Sequence, residues 1–275
     1  MALSISAPAK LNRYLGVLGR RPDGFHEVEL VTTVLAGVPE LSDTLTWEEH
    51  PRLELVLTGP TAEGLLADEG NLVMKAWRLV EALAGRPCPA RLTLHKRIPH
   101  GAGLGGGSSD AASALLLINR ALGLELTEEM LLGLAAELGS DVPLFILGGT
   151  VHGTGRGERV RPVPAPPLPP LVLVNPGLHT PTPAVYRALG EVGYPATTPL
   201  VEPAAAPWHN DLEAAALRVC PDLAVVRDAL LGAGARPLLC GSGSSWAGRF
   251  EDRGARDAAA AALREAHPGW GIWAL

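Results

Sequence analysis

The chain has 275 residues, 47% of them hydrophobic, with a formal net charge of -6 and no run of 18 apolar residues. That length suits two compact domains, the composition argues against disorder, and the missing apolar run excludes a transmembrane helix. An acidic balance without a basic stripe argues against nucleic acid as the main partner, and Cys88, Cys220 and Cys240 lack the spacing of a disulfide framework or a zinc site.

The opening Met1-Ala-Leu-Ser-Ile-Ser-Ala-Pro has no basic leader and no long apolar stretch. It is not read as a signal peptide, and a reducing cytoplasm is the expected compartment. Apolar alternation then predicts strands over 3–7, 11–18, 27–35, 45–47, 53–57 and 91–98, and helical spacing predicts helices over 72–84, 109–122 and 128–138. Asn71 is placed to cap the first of these helices. The run Pro162-Val-Pro-Ala-Pro-Pro-Leu-Pro-Pro170 admits neither helix nor central strand and reads as a stiff connector. Beyond it come a strand over 171–175, helices over 182–189, 211–219 and 221–231, strands over 237–240 and 245–250, a helix over 255–266 and a strand over 270–275. Strand, helices, two strands, helix and strand approach a ferredoxin-like split βαβ order. The expected division is 1–161, a connector over 162–170, and 171–275.

Residues 99–112 carry the strongest chemical signal: Pro-His-Gly-Ala-Gly-Leu-Gly-Gly-Gly-Ser-Ser-Asp-Ala-Ala. Gly101, Gly103, Gly105, Gly106 and Gly107 let backbone N–H groups approach an anion closely, and Ser108 and Ser109 are good caps for the helix that follows. A glycine-rich loop feeding a helix start is a phosphate site. A Walker A loop would need Lys where Gly107 stands. Gly101, Gly103 and Gly106 satisfy G-x-G-x-x-G, but a dinucleotide fold also needs an acidic residue ending a second strand. Glu125 has about the right spacing of ~20 residues but no room for that strand before the capping pattern at Thr127. Cations gather in the first hundred residues at Lys10, Arg13, Arg20, Arg21, Lys96 and Arg97, which suits a small anionic ligand, or else a solvated surface.

Other segments admit a structural or a chemical reading. Lys10, within Pro8-Ala9-Lys10-Leu11-Asn12, is either a snorkelling surface lysine or a cation for a transferring phosphoryl group. The Pro22-Asp23-Gly24 turn delivers Phe25 and His26, either to a core or to a base that Phe25 stacks on. Ser140 or Asp141 either caps a helix with Pro143 in its first turn or supplies a proton acceptor. Gly148–Gly157 reads mainly as a tight hairpin, and Asn210-Asp211-Leu212-Glu213 as a helix start.

The phosphate loop, with Gly-Gly-Gly-Ser-Ser-Asp-Ala-Ala at its end, resembles that of the GHMP kinases, the galactokinase, homoserine, mevalonate and phosphomevalonate kinase superfamily. Pro-Ala-Lys-Leu-Asn resembles the first motif of that superfamily, and Gly241-Ser242-Gly243-Ser244-Ser245 its third, with Cys240 where Ser or Thr is common. Gly19-Arg20-Arg21-Pro22-Asp23-Gly24-Phe25-His26 is similar to the signature of the branch in isoprenoid precursor synthesis whose acceptor is a cytidine diphosphate-linked methylerythritol. This chain has Phe25 where that branch usually has Tyr. The resemblance implies an α+β fold of two domains, an N-terminal ribosomal-protein-S5-domain-2-like unit and a C-terminal ferredoxin-like unit. It implies ATP and Mg²⁺, with Asp141 accepting the acceptor's hydroxyl proton and Lys10 stabilising charge. It assigns the nucleotide to Lys96, Pro99, Gly101, Ala102, Gly103, Leu104, Gly105, Gly106, Gly107, Ser108, Ser109 and Asn71. Ser108 or Ser109 is the candidate metal ligand. It assigns the acceptor to Asn12, Phe25, His26, Thr182, Pro183 and Tyr186, with Phe25 stacked on cytosine and the His26 backbone on its edge. The expected partner is that small molecule, without nucleic acid or membrane, for a monomer or weak homodimer. A mevalonate, homoserine or sugar kinase, or a nucleotide-binding module without catalysis, are the alternatives.

Overall fold

The structure, a computed structural model, describes residues 2–275. In chain order the elements are β1 (Leu3–Pro8), β2 (Lys10–Arg20), β3 (His26–Val34), β4 (Ser42–Glu49), β5 (Glu54–Thr58), α1 (Leu72–Ala84), β6 (Ala90–His95), α2 (Gly106–Leu122), α3 (Glu128–Leu138), α4 (Val142–Leu147), β7 (Thr150–Thr154) and β8 (Arg159–Pro162). Then follow β9 (Leu171–Asn175), α5 (Thr182–Val192), β10 (His209–Asn210), α6 (Glu213–Val219), α7 (Leu223–Gly232), β11 (Arg236–Leu239), β12 (Trp246–Arg249), α8 (Arg253–Ala266) and β13 (Gly271–Ala274). Among the described residues no helix is long and apolar enough to cross a membrane.

The chain forms two compact units that exchange segments. The first takes residues up to Lys10, Thr32–His100 and Gly105–Pro162; the second takes Leu11–Val31, Gly101–Leu104 and Val163–Leu275. The last crossing falls in the proline-rich run, whose residues 163–169 form neither helix nor strand. The segments exchanged earlier lie before residue 105, within the stretch expected as one N-terminal domain.

In the first unit a four-stranded sheet runs β1-β4-β6-β5, antiparallel except for the parallel β5–β6 pair. The parallel pair is joined through α1, as such a pair requires a crossover. The core lies between sheet and helices: Leu45, Leu92 and Leu94 from the strands meet Trp77 and Val80 of α1 and Leu115 and Ile118 of α2. α1 holds its start, as the sequence anticipates, with the Asn71 side chain accepting from Val73 N–H at 3.0 Å; its end is closed by Gly85 at φ 64°. The last residues of β3 run beside β7, with Val34 N–H on the Gly149 carbonyl at 2.8 Å. β7 and β8 form the hairpin expected from the glycine-rich stretch.

In the second unit β11-β12-β9-β13 form an antiparallel sheet. Numbered within the sheet this order is 2-3-1-4, the ferredoxin-like order that the element pattern predicts. Its core joins Val172 and Val174 of β9 with Val226 and Leu230 of α7, Leu263 of α8 and the fully buried Trp246. The same unit holds most of β2, paired in parallel with β10 at Tyr14–His209 and Leu15–Asn210.

Candidate active site

α2 begins at Gly106, three residues before the predicted start, with Gly105 as its N-cap at φ 73° and no side-chain cap. Ser108 and Ser109 therefore lie inside the first turn rather than capping it. The reason is steric. A Cβ on Gly106 would come 3.1 Å from Ile98 Cγ2, and one on Gly105 would come 2.9 Å from Lys10 Cγ and 3.0 Å from Phe145 Cζ. Glycine lets the helix start early and close to its neighbours. Ser109 N–H is the first to close on the helix, onto the Gly105 carbonyl at 2.9 Å. The N–H groups of Gly106, Gly107 and Ser108 lie ahead of it, at the positive end of a helix of 17 residues.

The loop is supported from beneath. Lys96 is 3% exposed, and its ammonium sits between the carboxylates of Asp43 and Asp110, the latter at 2.5 Å. Asp43 also accepts the N–H groups of Arg97, at 2.5 Å, and Ile98, at 2.9 Å, with its other oxygen. It thus fixes the chain entering the loop. Burial drives the Asp110 carboxyl up to about 7, with Asp43 adding to the rise and Lys96 opposing it. The Lys96 ammonium is raised above its ordinary value by the same two carboxylates, against the effect of burial. Asp43 carries no motif signal, since it lies 53 residues from Lys96 in sequence.

Lys10 opens β2 and is 4% exposed; its Nζ lies 3.6 Å from Asp141 Oδ2. Asp141 stands at the N-cap position of α4, with Pro143 in the first turn, but its side chain makes no cap hydrogen bond. The carboxylate is left for Lys10 and solvent, at 35% side-chain exposure. One unit thus holds a helix start open to an anion, an ammonium and a partly exposed carboxylate. This set can take a proton from a hydroxyl and stabilise charge moving between oxygens.

A profile of the GHMP kinases N terminal domain matches residues 71–149, which include the loop and Asp141. A 4-diphosphocytidyl-2-C-methyl-D-erythritol kinase of Rhodospirillum rubrum is 39% identical over 285 residues, covering 98% of this chain and 90% of its own length. The chain belongs to this kinase family. A crystal structure of a 4-(cytidine 5'-diphospho)-2C-methyl-D-erythritol kinase, 38% identical, matches 99% of the chain and 98% of its own with a TM-score of 0.80. An L. major mevalonate kinase in complex with R-mevalonate has a TM-score of 0.72 at 15% identity, over 99% of this chain and 94% of its own, a likeness of fold alone. The chain is therefore a small-molecule kinase of mixed α and β structure.

The second unit carries the other expected residues. Phe25 is 52% exposed, which removes the alternative of a core phenylalanine. Its N–H is held by Asp23 Oδ1 at 3.1 Å, and its carbonyl accepts from Arg21 N–H at 2.8 Å, so the turn is fixed by backbone contacts. The His26 ring lies 4.7 Å from that of Tyr186 on α5. Thr182 and Pro183 form the first turn of α5, and Thr182 Oγ1 lies 2.7 Å from Ser242 Oγ of the third glycine-rich loop. Asn12 is buried on β2.

That third loop meets the first half of the phosphate loop inside the second unit. Ser245 N–H donates to the Ala102 carbonyl at 3.1 Å. A Cβ on Gly103, at φ +75°, would overlap the Cys240 carbonyl oxygen, so this approach needs glycine. Ala102 and Leu104 are buried; Gly101 is exposed, and a Cβ there would run into the ring of His179. Pro99 is half-buried ahead of them. Asn210 is a tie rather than the expected cap. Its amide donates to the Leu239 carbonyl at 2.8 Å and the Gly241 carbonyl at 2.7 Å, and its oxygen accepts from Leu212 N–H at 2.9 Å. Leu212, not Asn210, occupies the N-cap of α6, because Asn210 is already committed to β10.

Proposed function

We propose that this kinase moves the γ-phosphoryl group of ATP to the 2-hydroxyl of 4-diphosphocytidyl-2-C-methyl-D-erythritol, in the non-mevalonate route to isoprenoid precursors. The observation that carries the reading is the Lys10–Asp141 pair, 3.6 Å apart, with the Lys10 side chain packed against Gly105 at the start of α2. The names and identities of the relatives support the choice of acceptor.

ATP's phosphates accept hydrogen bonds from the N–H groups of Gly106, Gly107 and Ser108, at the dipole's positive end. Asp141 takes the hydroxyl proton as the acceptor oxygen bonds to the γ-phosphorus. The bond from that phosphorus to the β,γ-bridging oxygen breaks, and ADP leaves with the electron pair. Lys10 stabilises the negative charge in transit, so that positioning and electrostatics supply much of the rate. Among the described residues no group of three or more His, Cys, Asp or Glu could hold a metal ion. Mg²⁺ binds mostly through substrate phosphates, and the Ser108 or Ser109 hydroxyl is the protein ligand in this reading. Ser109 Oγ is buried and has no hydrogen-bond partner. Bound there, the ion would neutralise charge on the β- and γ-oxygens. In the second unit Phe25 stacks on the cytosine and His26 binds its edge, with Tyr186 and Thr182 on the acceptor side. A cytoplasmic enzyme, monomeric or weakly dimeric, completes the reading.

The test is ADP release, measured with the cytidylated erythritol beside mevalonate, homoserine and galactose. Release with the first alone is expected. Release with another acceptor reassigns the substrate, and release with none makes the chain a nucleotide-binding module.

A further inference from the structure

The backbone of Lys10 is held in β2, but a flexible side chain separates that strand from the ammonium. Asp141 does not fix that side chain alone. Its Oδ2 is 3.6 Å from Nζ, longer than a hydrogen bond, and its side chain is 35% exposed. A partly exposed ion pair gains little and gives up side-chain freedom, so it is a weak tether. Yet the Lys10 side chain is only 5% exposed, so its stem is packed along its length.

Part of that packing comes from the helix turn that carries Asp141. The three atoms nearest to a Cβ placed on Gly105 are Lys10 Cγ at 2.9 Å, Phe145 Cζ at 3.0 Å and Lys10 Cε at 3.2 Å. The stem of Lys10 and the tip of the Phe145 ring thus converge on one face of Gly105. Phe145 lies four residues after Asp141, whose φ of -87° and ψ of -7° are already helical. Residues four apart share a face of a helix. The turn that presents a carboxylate to the ammonium therefore presents a ring to the stem behind it. Phe145 is buried and belongs to the same core as Val142 and Leu144, so the ring has firm backing. Lys10, Gly105, Asp141 and Phe145 all lie in the first unit.

We infer that Phe145 is a positioning residue for phosphoryl transfer: with Gly105 it confines the Lys10 stem and so sets where the ammonium stands beside Asp141. This rests on the reading of Lys10 as the cation of the transfer. A fixed charge speeds a reaction when it is held where charge develops, and a misplacement of about 1 Å costs up to about a hundredfold.

Three variants test this, with each kcat referred to the folded fraction read by circular dichroism at the assay temperature. Phe145→Leu keeps an apolar side chain in the core but withdraws the atoms that reach Gly105 and Lys10. It should lower kcat about tenfold while both KM values stay within about twofold, since the N–H groups assigned to ATP are untouched. Phe145→Met regains the reach through an unbranched chain that fills irregular gaps, and should bring kcat back to within about threefold of the wild type. Lys10→Met keeps a stem and removes the charge, and should lower kcat at least about a hundredfold. A kcat unchanged in Phe145→Leu, or lowered equally by Leu and Met, overturns the inference. So does a loss carried by the KM for ATP, which would make Phe145 a support of the loop and not of the lysine. Near-wild-type turnover in Lys10→Met defeats the reading of Lys10 itself, and with it the positioning role. A crippled Lys10→Met beside a fully active Phe145→Leu defeats the positioning role alone.

Discussion

Asp141 occupies the N-cap position of α4 without capping it, and its Oδ2 stands 3.6 Å from Nζ of Lys10. The sequence leaves two roles open for this aspartate, and the structure shows no side-chain cap. A capping carboxylate would spend an oxygen on backbone N–H groups. This one makes no cap hydrogen bond and faces Lys10, which is what the proposed base role requires. Asp141→Asn should lower kcat at least about a hundredfold, the scale of a lost general base, with ATP binding little changed. Its melting temperature should hardly move, because no cap is lost. Steady-state kinetics and a thermal scan check both halves, and near-wild-type turnover removes Asp141 from the mechanism.

The buried carboxyl of Asp110 makes stability depend on pH. Its pKa rises from 3.8 to about 7 on folding, chiefly through burial, so the folded chain keeps a proton that the unfolded chain releases. The stabilisation is full below the unfolded value and is lost as pH rises through the folded one. Wild-type stability, referred to Asp110→Asn, should therefore decline as pH rises from about 4 to about 8. Urea midpoints for the two proteins across that window measure it. Parallel curves would mean that Lys96 keeps Asp110 ionised throughout.

Two glycines of one loop should respond in opposite directions to alanine. At Gly103 the φ of +75° and the Cys240 carbonyl oxygen, which occupies the space a methyl group would need, leave no room. Gly103→Ala should cost about 3 kcal/mol or more, the sum of backbone strain and overpacking. At Gly107, already helical, the nearest atom to a Cβ is Leu72 Cδ1 at 3.8 Å. Gly107→Ala should be neutral or stabilise by up to about 1 kcal/mol. Denaturant unfolding of the two variants decides, and equal effects would contradict the packing described for Gly103.

What the sequence made legible was local. Asn71 and Thr127 cap α1 and α3 at the predicted residues, because capping is set by a side chain two or three residues from the N–H it binds. The start of α2 was misplaced because cap preferences point to serine, whereas the close approach of Ile98, Lys10 and Phe145 is what requires glycine there. Contacts distant in sequence left no trace in a single chain. Asp43 reaches Lys96 across 53 residues, Tyr194 reaches His26 across 168, and Asn210 reaches Leu239 across 29. The resemblance could mark Lys96 as near the nucleotide. Only the fold sets its ammonium between two carboxylates beneath the loop.

Phe25 tests the acceptor side. At 52% exposure the ring contributes little to a core, and its turn is held by Asp23 and Arg21 through backbone atoms that survive truncation. Phe25→Ala should thus leave stability within about 0.5 kcal/mol of the wild type, as surface substitutions usually do. Its effect should fall on the KM of the cytidylated acceptor, raised about tenfold or more if stacking on the base is lost, by the ~1–3 kcal/mol of a base–aromatic contact. The KM for ATP should not follow, because the N–H groups assigned to the phosphates are those of Gly106, Gly107 and Ser108. Phe25→Tyr should leave the acceptor KM near the wild-type value, since stacking needs only the ring. An acceptor KM unmoved by Phe25→Ala would show that the exposed ring takes no part in binding and that cytosine is held elsewhere.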